Sequence, residues 1–280
     1  ENVPAATAEA LAAGAPVRPA PEVLATAQDR AIEKRFLNGI GVETAAWVEV
    51  GDAAGIAAAL ARTGAPALLK TRRFGYDGKG QARVSGPEDA EAAFEAIGRA
   101  PAVLEGMVPF TAEISVIAVR GLDGEIIAYD PGENVHREGI LRTTTVPAGI
   151  PRARAQDAVL IAGRILGALG HVGVMGVEMF VTPGGLLVNE IAPRVHNTGH
   201  WTMEACLVDQ FEAHVRAVCG WPVGDGARHS DAVMTNLIGA DVDDWARLAG
   251  EPCALHLYGK GAVRPGRKMG HITRIAPRRP

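Results

Sequence analysis

The chain has 280 residues, 48% of them hydrophobic and 21% charged, with a formal net charge of −4. This is the composition of a globular protein long enough for two or three lobes. No stretch reaches the ~20 apolar residues that cross a bilayer, and no strongly basic or acidic tail is present, so neither a membrane span nor a nucleic-acid partner is expected.

The three cysteines, Cys206, Cys219 and Cys253, show no metal-type spacing and no disulfide framework, which points to a reducing, cytoplasmic compartment. The basic residues near the end (Arg267, Lys268, Arg274, Arg278, Arg279) read as a solvated face or a small-anion site. The chain opens on Glu1, and ENVPAATAEALAAGAPVRPAPEVLA reads as the tail of a preceding unit. In it AATAEALAAG predicts a short helix stopped by Gly14, and PVRPAPE an extended run, because each proline turns its predecessor away from helix.

TAQDRAIEKRFLNGIG predicts a helix capped by Thr26. AAWVEV follows as a strand and DAAGIAAALARTG as a helix. APALLK (65–70) and GQARV (80–84) predict two strands, and PEDAEAAFEAIGR a helix with proline at its start and acids in its first turn. AVLEGMV is a strand that bends at Pro109. AEISVIAVRG and GEIIAYD form a hairpin over LDG, and PRARAQDAVLIAGRILGALG is a long amphipathic helix. VGVMGVEMFVTPGGLLVNEIAPR gives two strands around TPGG, and WTMEACLVDQFEAHVRAVCGW one amphipathic helix. The order predicts a mixed α/β (α+β) fold with hairpins in its middle.

Between the strands at 65–70 and 80–84 lies RRFGYDGKGQ (72–81). Its glycines let backbone N–H groups converge on an anion, but it fits neither the Walker pattern nor the dinucleotide fingerprint. By itself it reads equally as a register-setting turn or as a phosphate loop. Lys70 stands at its mouth, well placed for phosphate oxygens or simply solvated. Glu178 and Glu190 each sit among apolar neighbours on one strand of the TPGG hairpin. A lone acid there is costly unless it is paired or bound to a cation. Two of them, with Asn189 adjacent, suit Mg2+, and an arginine pair is the other reading. IAPRVHNTGHWT (191–202) gathers Arg194, His196 and Asn197 before a helix, with no nucleophile that would complete a hydrolytic triad. Glu105 and Glu113, eight apart, read on spacing alone as surface acids.

Taken together, the lysine, glycine hairpin, hinge strand with Glu and late pair of acids resemble the ATP-grasp superfamily. KTRRFGYDGKGQ, the opening ENVPAATAEALAAG, NEIAPRVHNTGHWT and LHLYGKGAVRPGRKMGHIT resemble, more closely, the ATP-dependent 5-(carboxyamino)imidazole ribonucleotide synthetases of purine biosynthesis. The resemblance implies an ATP-grasp fold that clamps the nucleotide between two antiparallel-sheet lobes. It also implies an N-terminal nucleotide-fold domain that is missing or incomplete in this chain. The implied division is 1–64 as a remnant of that domain with linker helices, and 65–122 as the lid with the glycine loop. Residues 123–235 would form the core with the Mg2+ site, and 236–280 a small β subdomain.

The implied roles follow position by position. Lys70 and Arg30 contact ATP phosphates, and the loop Gly75, Tyr76, Asp77, Gly78, Lys79, Gly80 and Gln81 closes over them. Glu105, Gly106, Met107 and Val108 form the adenine hinge, Glu113 takes ribose hydroxyls, and His136 makes a further nucleotide contact. Glu178 and Glu190 ligate Mg2+, replaceable by Mn2+, beside Asn189. Tyr76, Asp77, Arg194, His196, Asn197, Lys260 and Arg267 surround aminoimidazole ribonucleotide and bicarbonate. The implied protein is a cytoplasmic homodimer that carboxylates this ribonucleotide through carboxyphosphate. The alternatives are another ATP-grasp ligase, such as the formate-dependent glycinamide ribonucleotide transformylase, and a nucleotide-binding module without turnover.

Overall fold

A computed structural model describes residues 3–75 and 80–279. The expectations placed on Tyr76, Asp77, Gly78 and Lys79 lie outside the described residues. The chain divides into two compact units, Glu1–Thr111 with Met179–Pro193, and Ala112–Glu178 with Arg194–Pro280.

The first unit opens on α1 (Ala5–Ala12), α2 (Pro21–Ala27) and α3 (Arg30–Gly39). Then come β1 (Trp47–Val50), α4 (Ala53–Thr63), β2 (Ala67–Thr71), β3 (Gln81–Val84), α5 (Ala90–Ala96) and β4 (Ala102–Gly106). The strands make one antiparallel sheet in the order β1-β4-β2-β3. Ile56, Phe94, Leu69, Val84 and Leu104 fill the core between this sheet and α4 and α5. Each such side chain contributes roughly 1.5–3 kcal/mol by leaving water. Gly106 is required where it stands. A Cβ there would meet the Thr63 carbonyl at the end of α4 at 2.5 Å.

The start of α3 corrects the sequence reading. Thr26 lies inside α2, where its hydroxyl donates to the Glu22 carbonyl at 2.9 Å. Asp29 is the N-cap instead, accepting from the Ala31 and Ile32 N–H groups. Pro21 begins α2 because its missing N–H is one a first helical turn does not use.

The second unit holds β5 (Ala112–Arg120), β6 (Ile126–Ala128), β7 (Gly132–Arg137), β8 (Ile140–Val146) and α6 (Arg152–Leu169). The division falls inside β9 (Gly173–Thr182), whose residues 173–178 count here and 179–182 with the first unit, as does β10 (Gly185–Ala192). The second unit continues with α7 (Thr202–Ala205), α8 (Gln210–Cys219), β11 (Ser230–Ile238), α9 (Trp245–Leu248), β12 (Ala254–Leu257) and β13 (Lys268–Pro277). Its strand order is β9-β5-β7-β8-β11-β13-β12, with β6 paired to β5. Trp201, Tyr129 and Met234 anchor its core, and the Tyr129 hydroxyl donates to the Val208 carbonyl at 2.9 Å.

Two differences from the sequence reading stand out here. The β7–β8 hairpin was not anticipated, and the single helix expected over 201–221 is two. The break has a specific cause. Cys206 leaves the helix in extended conformation to bridge Arg228, and Asp209 caps a fresh helix through the Phe211 and Glu212 N–H groups. Among the described residues no helix is long and apolar enough to cross a membrane.

Candidate active site

The first unit gathers its expected nucleotide residues on α3, β2 and β4. Lys70 near the end of β2 reaches Glu105 on β4, Nζ to Oε2 at 3.0 Å, and Lys34 from α3 meets the other oxygen at 3.3 Å. Burial would raise the Glu105 carboxyl pKa, but the ammonium groups of Lys70 and Lys34 outweigh it and hold the group below the usual carboxylate range. Two ammonium groups against one carboxylate leave one net positive charge. The Glu105 side chain is therefore committed to the lysines. The backbone that follows is pinned as well, with the Gly106 and Met107 N–H groups donating to the Ala46 and Pro66 carbonyls.

Arg30 underlies the glycine loop. Its guanidinium donates to the Thr71 carbonyl at 3.0 Å and the Gly75 carbonyl at 3.3 Å, and lies 3.9 Å from Glu190 Oε2. Arg72 at the loop's start is forked by Asp29 at 2.9 and 2.7 Å. So one aspartate caps α3 and anchors the loop. Burial pushes the Asp29 carboxyl up, yet the Arg72 contact and the helix N–H groups leave it lowered overall. Gly80 closes the loop in the left-handed region, at φ 70°, with Gln81 starting β3.

Glu190 and Asn189 lie on β10, and the Glu190 side chain is 45% exposed. Directly behind is an acid the sequence reading missed. Glu33 on α3 is buried and accepts from the Ile191 N–H at 3.3 Å. Its pKa is raised to about 8, first by burial and further by the neighbouring Glu190, against the pull of Lys34. RAIEKRFLNG carries little apolar surface for a helix so well covered. That shortage was the one available signal that Glu33 and Lys34 face inward.

In the second unit, Glu113 on β5 pairs with His136 on β7, Oε2 to Nδ1 at 2.9 Å. Burial alone would lower the His136 pKa, but Glu113 and then Glu178 raise it overall. Glu178 also lies 3.7 Å from His196 Nε2. His196 is neutral, its pKa pushed down to about 3 by burial and then by Arg194 and Lys268. It is held from three sides. Its Nδ1 meets the Thr198 hydroxyl at 2.9 Å, and its backbone N–H and carbonyl are clamped at 2.8 Å by the Gln210 side-chain amide. Gly176 on β9 leaves the room, since a Cβ there would lie 2.8 Å from the His196 Cβ. Gln210, fully buried, was also missed. In sequence it is only one polar residue inside the single amphipathic helix expected over 201–221.

Arg194 folds back to donate to the Val195 carbonyl at 3.0 Å. Asn197 exchanges amide hydrogen bonds with Asn236, at 2.9 and 2.8 Å. In the loop between β12 and β13, the Lys260 ammonium stands over the Tyr258 ring at 5.0 Å, and Arg267 donates to the Lys260 and Ala262 carbonyls. A positive φ at Gly259, Gly261 and Gly266 lets this loop fold tightly enough for the Arg267 guanidinium to reach the Lys260 backbone carbonyl.

Buttressed lysines, an arginine-backed glycine hairpin and acids on late strands are the parts of an ATP-grasp enzyme, and comparison with known proteins agrees. The family model for the ATP-grasp domain matches residues 35–211, and that for the phosphoribosylaminoimidazole carboxylase C-terminal domain matches 232–279. The N5-carboxyaminoimidazole ribonucleotide synthase of Brucella melitensis is 52% identical across 99% of this chain and 78% of its own length. That of Pseudomonas aeruginosa is 46% identical, across 98% and 75%. The crystal structure of the Thermus thermophilus synthetase superposes with a TM-score of 0.91 at 45% identity, over 99% of this chain and 75% of that one. The Aspergillus clavatus synthase, solved with ADP and 5-aminoimidazole ribonucleotide, gives 0.93 at 31%, over 99% and 76%. The chain belongs to the N5-carboxyaminoimidazole ribonucleotide synthase family.

Proposed function

We propose that this chain catalyses the ATP- and bicarbonate-dependent carboxylation of 5-aminoimidazole ribonucleotide at its amine. The observation that carries the reading is the 52% identity, over 99% of the chain, to a relative named for that product. In the first step a bicarbonate oxygen attacks the γ-phosphorus of ATP and the bond to ADP breaks, giving carboxyphosphate. The ribonucleotide amine then takes the carboxyl carbon, inorganic phosphate leaves, and the nitrogen loses a proton.

The chain's part is positioning and charge neutralisation, as in other phosphoryl transfers. Lys70 keeps a share of net positive charge beside Lys34 and Glu105, suited to phosphate oxygens. Arg30 sets the glycine loop from beneath and the loop closes over the triphosphate, excluding water that would hydrolyse carboxyphosphate. Residues 65–122 act as the lid. The backbone of Glu105–Val108 takes adenine, while Glu113 and His136 take the ribose side. Arg194, His196 and Asn197 face bicarbonate and the acceptor, and Lys260 and Arg267 hold the ribonucleotide phosphate. Tyr76 and Asp77 are assigned to the same substrate by the family resemblance.

Glu178 and Glu190, and Asn189 next to Glu190 in the chain, would offer the oxygen donors that a hard cation takes. When bound, Mg2+, or Mn2+ in its place, would neutralise charge on the phosphates. The family resemblance also carries a homodimer, which sedimentation equilibrium tests. The reaction itself is tested by ADP release with each acceptor. Aminoimidazole ribonucleotide plus bicarbonate should stimulate it. Stimulation by formate with glycinamide ribonucleotide, or by neither pair, would overturn the reading.

A further inference from the structure

One group of titratable side chains plays no part in the substrate reading. It lies where β12, β13 and α7 meet, entirely within the second unit. His256 and His271 stand directly opposite each other in the antiparallel β12–β13 register, with rings stacked at 4.6 Å and 14°. Opposed residues project from the same face, with Cβ atoms about 5 Å apart. Glu204 of α7 meets them there, its Oε1 paired with His256 Nε2 at 2.7 Å.

The bonding around this group is incomplete. His271 Nδ1 pairs with the Tyr258 hydroxyl at 2.8 Å, but its Nε2 is buried with no hydrogen-bond partner, and so is Glu204 Oε2. His271 as a whole is 2% exposed. A buried nitrogen and a buried carboxylate oxygen left unmatched are both costly to desolvate. One donor atom from each of Glu204, His256 and His271 lies within 4.8 Å of the other two.

We propose that Glu204, His256 and His271 form a binding site for a divalent transition-metal ion of the zinc type, separate from the carboxylates assigned to Mg2+. Two imidazoles and a carboxylate are a donor set for zinc and its first-row neighbours, and unsuited to Mg2+, which prefers oxygen alone. The surroundings match such a site. A ligating histidine usually gives its other ring nitrogen to a hydrogen bond that fixes the ring, as Tyr258 does for His271 Nδ1. That leaves Nε2 to ligate. His256 presents its Nε2 to the same point, 2.7 Å from Glu204 Oε1. The bound ion would tie β12, β13 and α7 together and fix Tyr258, over whose ring Lys260 stands.

The test uses chelator-stripped protein carrying Glu178→Gln and Glu190→Gln, so that the expected Mg2+ carboxylates do not report. Zn2+ is titrated against a chromophoric chelator, and Co2+ is added to read its visible bands. The expected result is one equivalent of Zn2+ and a cobalt spectrum of mixed nitrogen and oxygen ligation. His256→Gln and Glu204→Gln should each abolish both, while Tyr258→Phe should weaken zinc binding ~10–100-fold. Thermal midpoints without metal show whether each variant folds. Should a ligand variant not fold, the 15N shift of His271 Nε2 on adding Zn2+ to the folded protein decides instead. No bound equivalent, binding that survives both ligand variants, or a His271 resonance that does not move overturns the site.

Discussion

The Lys70 ammonium and the Glu105 carboxylate meet at 3.0 Å across adjacent antiparallel strands, and Lys34 shares the same carboxylate at 3.3 Å. The Lys34 side chain is 1% exposed and Glu105 5%, so removal of the acid leaves a buried cation without its counter-charge. Losing one partner of a buried pair costs roughly 3–5 kcal/mol. Glu105→Gln should lower the unfolding free energy by about that much in urea at pH 7. The sign with pH follows from the lowered carboxyl. Its contribution is present above the unfolded value of 4.5 and is lost as pH falls through the lower folded one. Wild type and variant should therefore converge on acidification. A gap that stays constant down to acid unfolding would place the stabilising charge elsewhere.

Glu33 runs the opposite way. Its folded pKa of about 8 exceeds the ordinary value of 4.5, so between the two the folded protein holds a proton that the unfolded chain releases. Stability then falls as pH rises through that window, by ~1.4 kcal/mol per pH unit where the group acts alone, and levels off above about 8. Glu33→Gln keeps the hydrogen-bonding shape and cannot ionise. Its stability relative to wild type should rise between pH 5 and pH 8, about the window set by those two values. Denaturant curves in EDTA, which removes any contribution from divalent ions at Glu190, are the measurement. Parallel pH profiles would show that Glu33 is ionised in the folded protein.

Gly176 should not accept a side chain. Its Cβ would lie 2.8 Å from the Cβ and 2.9 Å from the Cγ of His196, and His196 is clamped by Gln210 and Thr198 and has little room to yield. Overpacking of this kind costs ~1–3 kcal/mol. Gly176→Ala should lose that much stability and, by displacing His196, lose carboxylation by a larger factor than its stability alone explains at a temperature where it remains folded. Normal turnover in a folded Gly176→Ala protein would remove His196 from the site.

How far the fold is legible in the sequence depends on where each signal resides. The TPGG hairpin and α6 are plain because turn residues and apolar periodicity agree over a long run. The β7–β8 hairpin is not, because GENVHREGILRTTTV is largely polar and its turn uses Glu138 at a φ of 54° before Gly139. The helix break after Ala205 is set by Cys206 bridging Arg228, a partner 22 positions away that local periodicity does not see. The site divides in the same way. Short motifs in which chemistry is written consecutively, such as NEIAPRVHN and YGKGAVRPGR, are legible. Glu33, Lys34 and Gln210 are not, because each is given its role by what packs against it from another element.

Arg194 separates positioning of the acceptor side from nucleotide binding. Its guanidinium is tethered by a 3.0 Å bond to the next residue's carbonyl, and its charge reaches His196, lowering that imidazole's pKa along with burial. In the proposed reaction it faces bicarbonate and the carboxyphosphate anion, where a planar fork matches two oxygens at once. Charge-stabilising donors of this kind account for ~10²–10³ in kcat. Arg194→Ala should reduce formation of the carboxylated ribonucleotide by that order while calorimetric ADP affinity stays close to wild type. Arg194→Lys should restore little, since a point charge lacks the fork. Loss of ADP affinity in step with turnover would move Arg194 from the acceptor to the nucleotide.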